Sequence, residues 1–237
     1  MKNNKDVITP ICDIRGKGPW AEMAGQLVTV RGVATGVSRH GFFVQNVKPG
    51  TDPGVSDALF VFSPKWPAIK GALLDVSGQV VDYVKVENGK PVTQIKLENV
   101  RVIRKRGPVI RPFEFTADNV PADPDELAAF LNGLEGMLVT IGAGHTFIAP
   151  SNPFADYVLI LDAEKPIEGV VRTEKGGVLV DHDNPLRWYP GFRLSNYKHA
   201  KRVNVGSKLL SAVTGPLNYR VEAFQSFDEV SLIYYLL

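Results

Sequence analysis

Residues 27–37 read LVTVRGVATGV, and residues 41–46, after a short turn, read GFFVQN. Both segments are rich in β-branched and aromatic residues, and the glycines stand where a strand can bend or bulge. Three more β-like runs follow at residues 57–62, 73–86 and 93–104. Five strands with a short connection between the third and the fourth predict a small closed Greek-key barrel of the OB type.

The second half of the chain repeats the first half loosely. Residues 136–141 (GMLVTI) match residues 25–30 (GQLVTV), and residues 206–215 (GSKLLSAVTG) match residues 71–78 (GALLDVSG). Two matches in the same order indicate a repeated structural unit. The sequence therefore predicts a mainly β protein made of two tandem OB-like, five-stranded Greek-key barrels.

A basic, proline-containing linker and a short helix separate the two predicted barrels. Residues 124–131 (PDELAAFL) have the best helical pattern in the chain, with Asp123 as the expected N-cap and Pro124 in the favoured first position. We expect barrel 1 at residues 1–106, the linker and helix at 107–133, and barrel 2 at 134–237.

The composition excludes several classes of site. Cys12 is the only cysteine, so neither an intrachain disulfide nor a cysteine-rich zinc site is possible. The formal net charge is only +2, so any binding of nucleic acid must depend on local clusters of basic residues. No run approaches the roughly 18 apolar residues of a membrane span, and no signal peptide is visible. These features predict a cytoplasmic protein with no membrane partner.

Four phrases of the first half resemble a known module. They are residues 30–37 (VRGVATGV), 41–46 (GFFVQN), 56–62 (SDALFVF) and 76–80 (VSGQV). In this order they are similar to the phrases V-x-G-V-V-T, G-F-F-I-Q-D, S-D-G-I-F-V and V-x-G-x-V in the OB-fold module of large secreted bacterial nucleases. In the second half, residues 134–139 (LEGMLV) and 214–219 (TGPLNY) resemble the region that follows this module in those proteins.

The resemblance implies a non-catalytic module that works on nucleic acid, because in that family it precedes a catalytic domain of the endonuclease/exonuclease/phosphatase type. These 237 residues hold no counterpart of that domain. We therefore expect no catalytic residues and no cofactor, a nuclease partner or a catalytic domain elsewhere, and an extracellular location if the chain is a fragment of a secreted nuclease. The chain departs from the family pattern at Asn46, which replaces an aspartate, and at His182, which interrupts an aspartate pair.

The first barrel offers one candidate nucleic-acid site. OB folds stack bases on aromatic side chains of strands 2 and 3 and follow the phosphates with basic residues. Phe42 and Phe43 point to opposite faces of their strand, so one belongs to the core and the other is able to stack on a base. The predicted contacts are Arg31, Arg39, Phe43, Lys65 and Trp66. The alternative is that the outward phenylalanine packs against the neighbouring domain and the charges are solvated.

A denser cluster of aromatic and basic residues lies in a long segment between predicted strands of barrel 2. Such a segment can contact phosphates and stack on bases. Alternatively, it folds back over the barrel and closes its mouth. The predicted contacts are Arg187, Trp188, Tyr189, Arg193, Tyr197, Lys198, Lys201 and Arg202. The linker region holds five more cations, which either neutralise a phosphate track or are simply solvated: Arg101, Arg104, Lys105, Arg106 and Arg111.

The most metal-like stretch is Asp181, His182 and Asp183, since carboxylates and a histidine can hold a hard divalent cation. A polar turn after a strand explains the same residues, and the sequence offers no partner residues for phosphodiesterase chemistry. We therefore predict no metal site and keep these three residues as the only candidates for one.

Three functions compete at this point. The leading hypothesis is a nucleic-acid-binding tandem OB module, with single-stranded DNA favoured, accessory to a nuclease or another DNA-processing activity. The first alternative is a protein-protein interaction or assembly module, which the near-neutral charge and the apolar residues 232–237 (LIYYLL) favour. The second alternative is a small metal-dependent phosphodiesterase centred on Asp181, His182 and Asp183.

Overall fold

A computed structural model of the chain describes residues 7–50, 52–66, 68–85, 89–121, 123–151, 156–164, 171–178, 192–195, 202–221 and 232–236. The strands far outnumber the helices, which confirms the predicted mainly β class. The first unit contains a short helix and five strands: α1 Ile11–Arg15, β1 Leu27–Ser38, β2 Gly41–Gln45, β3 Ala58–Phe62, β4 Leu73–Tyr83 and β5 Val92–Arg104.

The five strands of the first unit close into a barrel in the order β1-β2-β3-β5-β4. Strand β1 makes closure possible because it is long enough to serve two neighbours: its first half pairs with β4 and its second half with β2. All pairs are antiparallel except β3 with β5. The interior is filled by fully buried side chains from every strand: Val30, Phe42, Val61, Leu74, Val76 and Ile95. The first five predicted strands are therefore present in the expected arrangement.

At Gly78 the backbones of β4 and β5 lie close together. The register between the two strands shifts between Ser77 and Gly78. A Cβ atom at position 78 would lie 2.1 Å from the carbonyl oxygen of Lys96, which is far inside van der Waals contact. Glycine is thus required here because no side chain fits between the two backbones.

The described residues of the second unit form seven strands and one helix: β6 Phe113–Phe115, α2 Pro124–Leu134, β7 Leu138–Ile141, β8 Thr146–Phe147, β9 Asp156–Ile160, β10 Phe192–Ser195, β11 Val213–Val221 and β12 Leu232–Leu236. The strands form one sheet in the order β6-β7-β11-β12-β10-β9-β8. The sequence predicts five strands here, one of them at residues 177–181, and β6, β8 and β10 are not among the five. Of residues 177–181 the structure describes only the first two, where Val178 forms an isolated bridge with Arg172.

The strand order of the second unit repeats that of the first when β7 and β8 are treated as two halves of one long strand. Then β7/β8, β9, β10, β11 and β12 occupy the places of β1 to β5. The one parallel pair of the first barrel, β3 with β5, has its counterpart in the parallel pair of β10 with β12. Residues 142–145 between β7 and β8 break the strand that is continuous in the first unit.

The internal repeat of the sequence corresponds to a repeat in the structure. Val28 pairs with Gly78 across β1 and β4, and the matching residues Val139 and Gly215 pair across β7 and β11. The glycines that open the matched phrases have nearly the same positive φ, 85° at Gly71 and 83° at Gly206. Each of these two glycines donates its N–H to the long first strand of its own unit, to Ala34 and to Phe147 respectively.

The segment expected as linker and helix is built into the second unit. Strand β6 pairs in parallel with β7. Leu127, Leu131 and Leu134 of α2 are buried in the same core as Phe115 and Val139. The second unit therefore begins at β6. The sequence predicts that barrel 2 starts later in the chain, at residue 134.

The apolar segment near residue 232 forms strand β12, which pairs with β11 on one side and with β10 on the other. Its backbone is thus engaged along both edges within the sheet. Such an apolar end is either a last strand of the sheet or an exposed interface, and the pairing matches the strand.

We expect substitution of Asp123 by alanine to lower the free energy of unfolding by about 1 kcal/mol. The Asp123 carboxylate accepts hydrogen bonds from the backbone N–H groups of Asp125 and Glu126, at 2.9 and 3.0 Å, and so caps α2 as predicted. Urea unfolding followed by circular dichroism measures the change. Asp123→Asn keeps an acceptor in place and should retain most of the stability, whereas an equal loss in both variants would argue against the cap.

Candidate nucleic-acid interface

The outer face of β2 and β3 is covered by the second unit. Phe43 points away from the barrel interior but is only 2% exposed, and its ring lies 5.1 Å from that of Phe60. Gly136 and Asn218 of the second unit line the same small crevice as these two rings. Phe43 is therefore packed between the two units and is not an open stacking platform, which corrects the prediction for this residue.

Polar contacts hold the second unit on this face. The side-chain oxygen of the buried Gln45 accepts a hydrogen bond from the backbone N–H of Leu138 at 2.8 Å. The Ser56 hydroxyl donates to the carbonyl oxygen of Glu135 at 2.6 Å. Both bonds satisfy backbone groups at the point where α2 leads into β7, so they fix the position of β7 on the first barrel.

A buried ion triad lies beside these contacts. One carboxylate oxygen of Glu135 is 3.4 Å from an Arg15 guanidinium nitrogen and 2.6 Å from the Lys90 ammonium. The side chains of Arg15 and Glu135 are 5% and 4% exposed. Burial alone would raise the pKa of Glu135, but the charges of Arg15 and Lys90 outweigh it and hold that pKa below its ordinary value. The carboxylate is therefore ionised and neutralises two cations of the first unit.

Three of the predicted contact residues lie together at one end of the first barrel. The backbone N–H of Ser63 donates to the carbonyl oxygen of His40, which places the β1–β2 turn beside residues 63–66. Arg39 and Lys65 are exposed there. Trp66 is half-buried, and its ring centroid lies 5.3 Å from that of Phe42. Trp66 thus covers the barrel core with part of its ring.

Arg31 lies elsewhere, on the outer face formed by β1, β4 and β5. It makes two hydrogen bonds to the carboxylate of Asp75, at 2.6 and 2.9 Å, and Arg101 donates to the same carboxylate at 2.5 Å. These three residues stand side by side on neighbouring strands. Hydrogen bonds from Arg31 lower the pKa of Asp75, so the carboxylate stays charged and holds both guanidinium groups in place.

More cations extend this face toward the end of β5. Arg104 pairs with Leu73 at the start of β4, and the backbone N–H of Gly107 donates to the carbonyl oxygen of Gly71. These contacts bring residues 104–106 beside Lys70. The chain holds no acidic residue between Glu98 and Glu114. We call this surface the basic edge; all its members are exposed: Arg31, Lys70, Arg101, Arg104, Lys105 and Arg106.

Most of the predicted aromatic and basic cluster of barrel 2 lies outside the described residues, namely Arg187, Trp188, Tyr189, Tyr197, Lys198 and Lys201. Arg193 belongs to β10, whose backbone pairs with Val158 of β9 and Tyr235 of β12. Part of the predicted loop is therefore a strand inside the sheet. Arg202 is described and exposed.

The metal candidates Asp181, His182 and Asp183 also lie outside the described residues. Within the part of the chain that the structure describes, no three acidic, histidine or cysteine side chains converge so that they could hold a metal ion. No helix among those residues is long and apolar enough to cross a membrane.

Sequence reasoning missed two charged groups that organise the molecule. The sequence carries a weak sign of the role of Asp75. Aspartate is depleted in strands, so one inside the run LLDVSG suggests a charged partner on a neighbouring strand. For Glu135 the sequence carries no sign that a glutamate after a helix meets Arg15 and Lys90, which are 120 and 45 positions away.

Comparison with known proteins bears on the second unit. No curated protein matches the chain. One family model matches a stretch that begins at the first residue of β6 and takes in α2, in agreement with the start of the second unit in the structure. Over residues 113–229 the chain is similar to the family described as "Domain of unknown function (DUF8508)".

Proposed function

We propose that this chain is a nucleic-acid-binding tandem OB module, accessory to a nuclease or another DNA-processing activity, and that it contacts the phosphate backbone through the basic edge. Single-stranded DNA is the proposed ligand. The observation that carries the proposal is the set of six exposed cations on the outer face of β1, β4 and β5 and at its end, of which Arg31 and Arg101 are bonded to Asp75.

The charge of the basic edge suits a polyanion. The six cations and Asp75 together carry a net charge of +5, in a protein whose formal net charge is only +2. Arg31 and Arg101 are oriented by Asp75, so they lose less side-chain entropy when they bind a phosphate. Lys70, Arg104, Lys105 and Arg106 lie at the end of the same strands, where the charges can follow a backbone.

The strand order of the first unit supports the OB assignment.

OB barrels bind single-stranded nucleic acid on the face of β-strands 2 and 3 and through the loops that flank this face. In the first unit that face is covered by Gly136 and its neighbours, so the bases of a single-stranded nucleic acid cannot stack on Phe43. The β1–β2 turn with Arg39, and Lys65 and Trp66 beside it, remain accessible next to the covered face. The exposed residues therefore favour contacts with phosphates over the stacking of bases on side chains of β2 and β3.

Titration of a fluorescently labelled single-stranded oligonucleotide tests the proposal. A chain that contacts about five phosphates should lose roughly a hundredfold in affinity between 50 and 200 mM salt. Fluorescence anisotropy at both salt concentrations gives the two affinities. A double-stranded oligonucleotide of the same sequence shows which form is preferred. Absence of binding to either form at 50 mM salt would refute the proposal.

A further inference from the structure

A second group of charged side chains surrounds an open cleft of about 530 Å³ in the second unit. Three pieces of backbone form one wall of the cleft. They are strand β8 with Thr146, the segment after β9 with Asp162, and the segment with Lys208, which forms an isolated bridge with Thr146. A tight hairpin, closed by a bridge between Arg172 and Val178, supplies the other wall. We call this site the 146–208 cleft.

The buried carboxylate of Asp162 is the anchor of the cleft. One oxygen accepts the backbone N–H of Thr146 at 2.7 Å, and the other accepts from Arg172 at 2.6 Å and from the Thr146 hydroxyl at 2.5 Å. The Lys208 ammonium donates to that hydroxyl at 2.6 Å and lies 3.8 Å from the carboxylate. The side chain of Asp162 is only 6% exposed, whereas that of Lys208 is 52% exposed. The carboxylate is therefore enclosed, and the cations that it orients face solvent.

Two touching turns define the far wall of the cleft. A Cβ atom at Gly206 would lie 2.4 Å from the carbonyl oxygen of Lys175, and one at Gly176 would lie 3.1 Å from the Cα atom of Gly206. Both glycines have φ near +84°. Only glycine allows the turns to approach this closely, and the approach holds Lys175 on the same side as Lys208 and Arg172.

The charge and lining of the cleft restrict its ligand. Arg172, Lys175 and Lys208 contribute three positive charges, and Asp162 and Glu174 contribute two negative ones, so the described lining carries a net charge of +1. Asp162 is buried and bonded to Arg172, so the exposed part of the lining carries Lys175 and Lys208 against the single carboxylate of Glu174. The described lining contains only threonine, glycine and charged residues. It offers no aromatic or aliphatic surface on which a ring could pack.

We propose that the 146–208 cleft binds a small ligand through a phosphate group, which Lys175, Arg172 and Lys208 contact. Lysine and arginine side chains fixed around an open space are the usual protein partners of phosphate. The volume accommodates more than one phosphate together with a small polar body. The site belongs to the second unit and shares no residue with the basic edge, so it is independent of nucleic-acid binding.

Isothermal titration of the full chain with pyrophosphate, at constant ionic strength, tests this site. We expect one pyrophosphate per chain, and an affinity about tenfold lower in Lys208→Ala and in Lys175→Ala. Lys175 is exposed in a turn, so its variant decides the result even if Lys208→Ala fails to fold. The matched control is Lys48→Ala, which removes one equal charge from an exposed position outside both the cleft and the basic edge and should leave pyrophosphate binding unchanged.

The possible outcomes separate a built site from general attraction to positive charge. Equal losses in Lys48→Ala and Lys175→Ala, several weak pyrophosphates per chain, or no binding at all would each overturn the proposal. Oligonucleotide binding by Lys175→Ala should equal that of the unmodified chain. Titration with a 5′-phosphorylated oligonucleotide and with its unphosphorylated form shows whether the phosphate of a nucleic-acid end competes with pyrophosphate for the cleft.

Discussion

Replacement of Glu135 by glutamine should lower the free energy of unfolding by about 3–5 kcal/mol, because it leaves two buried cations without a counter-charge. Glutamine keeps the shape of the side chain and an oxygen that accepts hydrogen bonds, so the packing between the units is preserved. Arg15 and Lys90 stay in place, with side chains 5% and 12% exposed. Burial already lowers the pKa of Lys90, and the substitution removes the Glu135 charge that opposes this shift. Loss of the pairing charge, rather than a cavity, is then the cause of the destabilisation.

Urea unfolding monitored by circular dichroism and tryptophan fluorescence measures the effect. Glu98→Gln, on an exposed position of β5, is the matched control and should change stability by less than about 0.5 kcal/mol. Adding Lys90→Met to Glu135→Gln removes one of the stranded cations and should recover part of the loss. Similar stabilities of Glu135→Gln and Glu98→Gln would show that the triad does not join the two units.

The same triad predicts how stability responds to acid. The pKa of Glu135 lies below its ordinary value in the folded chain, despite the burial that acts to raise it. Its contribution is therefore complete above the unfolded pKa, about 4.3, and is lost as the pH falls through the lower folded pKa. Unfolding experiments between pH 3 and 6 should show a steeper acid loss in the unmodified chain than in Glu135→Gln.

The repeated strands were predictable from the sequence because their signal is local. Alternation and glycine placement in residues 27–37 mark β1, and the phrase GMLVTI marks β7 by its likeness to residues 25–30. The N-cap at Asp123 follows equally from neighbouring residues. The alternation and the cap depend on side chains within a few positions of one another, where periodicity and turn chemistry act, and the repeat compares two such local runs.

The covered face of β2 and β3 was not predictable in the same way. The sequence correctly places Phe42 and Phe43 on opposite faces, but not what lies against the outward one. That depends on the contact of Gln45 with Leu138, 93 positions away. The break of one long strand into β7 and β8, and the recruitment of residues 113–115 as β6, likewise depend on tertiary packing rather than on local pattern.

The ion pair of Arg31 was not predictable from local sequence either. Its position in a β-rich run makes it a candidate phosphate contact, but the chain also supplies Asp75 on the neighbouring strand. The pairing does not remove Arg31 from the basic edge, since its side chain is still 43% exposed. It changes its role: Arg31 and Arg101 are held rigid by Asp75, while Arg104, Lys105 and Arg106 carry the charge that no described acidic side chain pairs.

Joint substitution of Arg104, Lys105 and Arg106 by alanine should therefore weaken the binding of single-stranded DNA about a hundredfold at 0.1 M salt. Each lost phosphate contact lowers the slope of log affinity against log salt by about 0.7 on a single strand, so three contacts lower it by about 2. All three side chains are exposed, and the fold should keep its stability within about 1 kcal/mol. Fluorescence anisotropy at four salt concentrations gives both quantities.

The matched control removes three charges from other parts of the surface. Lys17, Lys48 and Lys85 are exposed. Arg104 pairs with Leu73 at the start of β4, whereas Lys85 follows the other end of that strand. Their joint substitution by alanine lowers the net charge by the same amount. If binding responds only to net charge, both triple variants lose affinity equally and the basic edge is not the contact surface. If the basic edge is the contact surface, the control keeps a salt slope within about one unit of that of the unmodified chain.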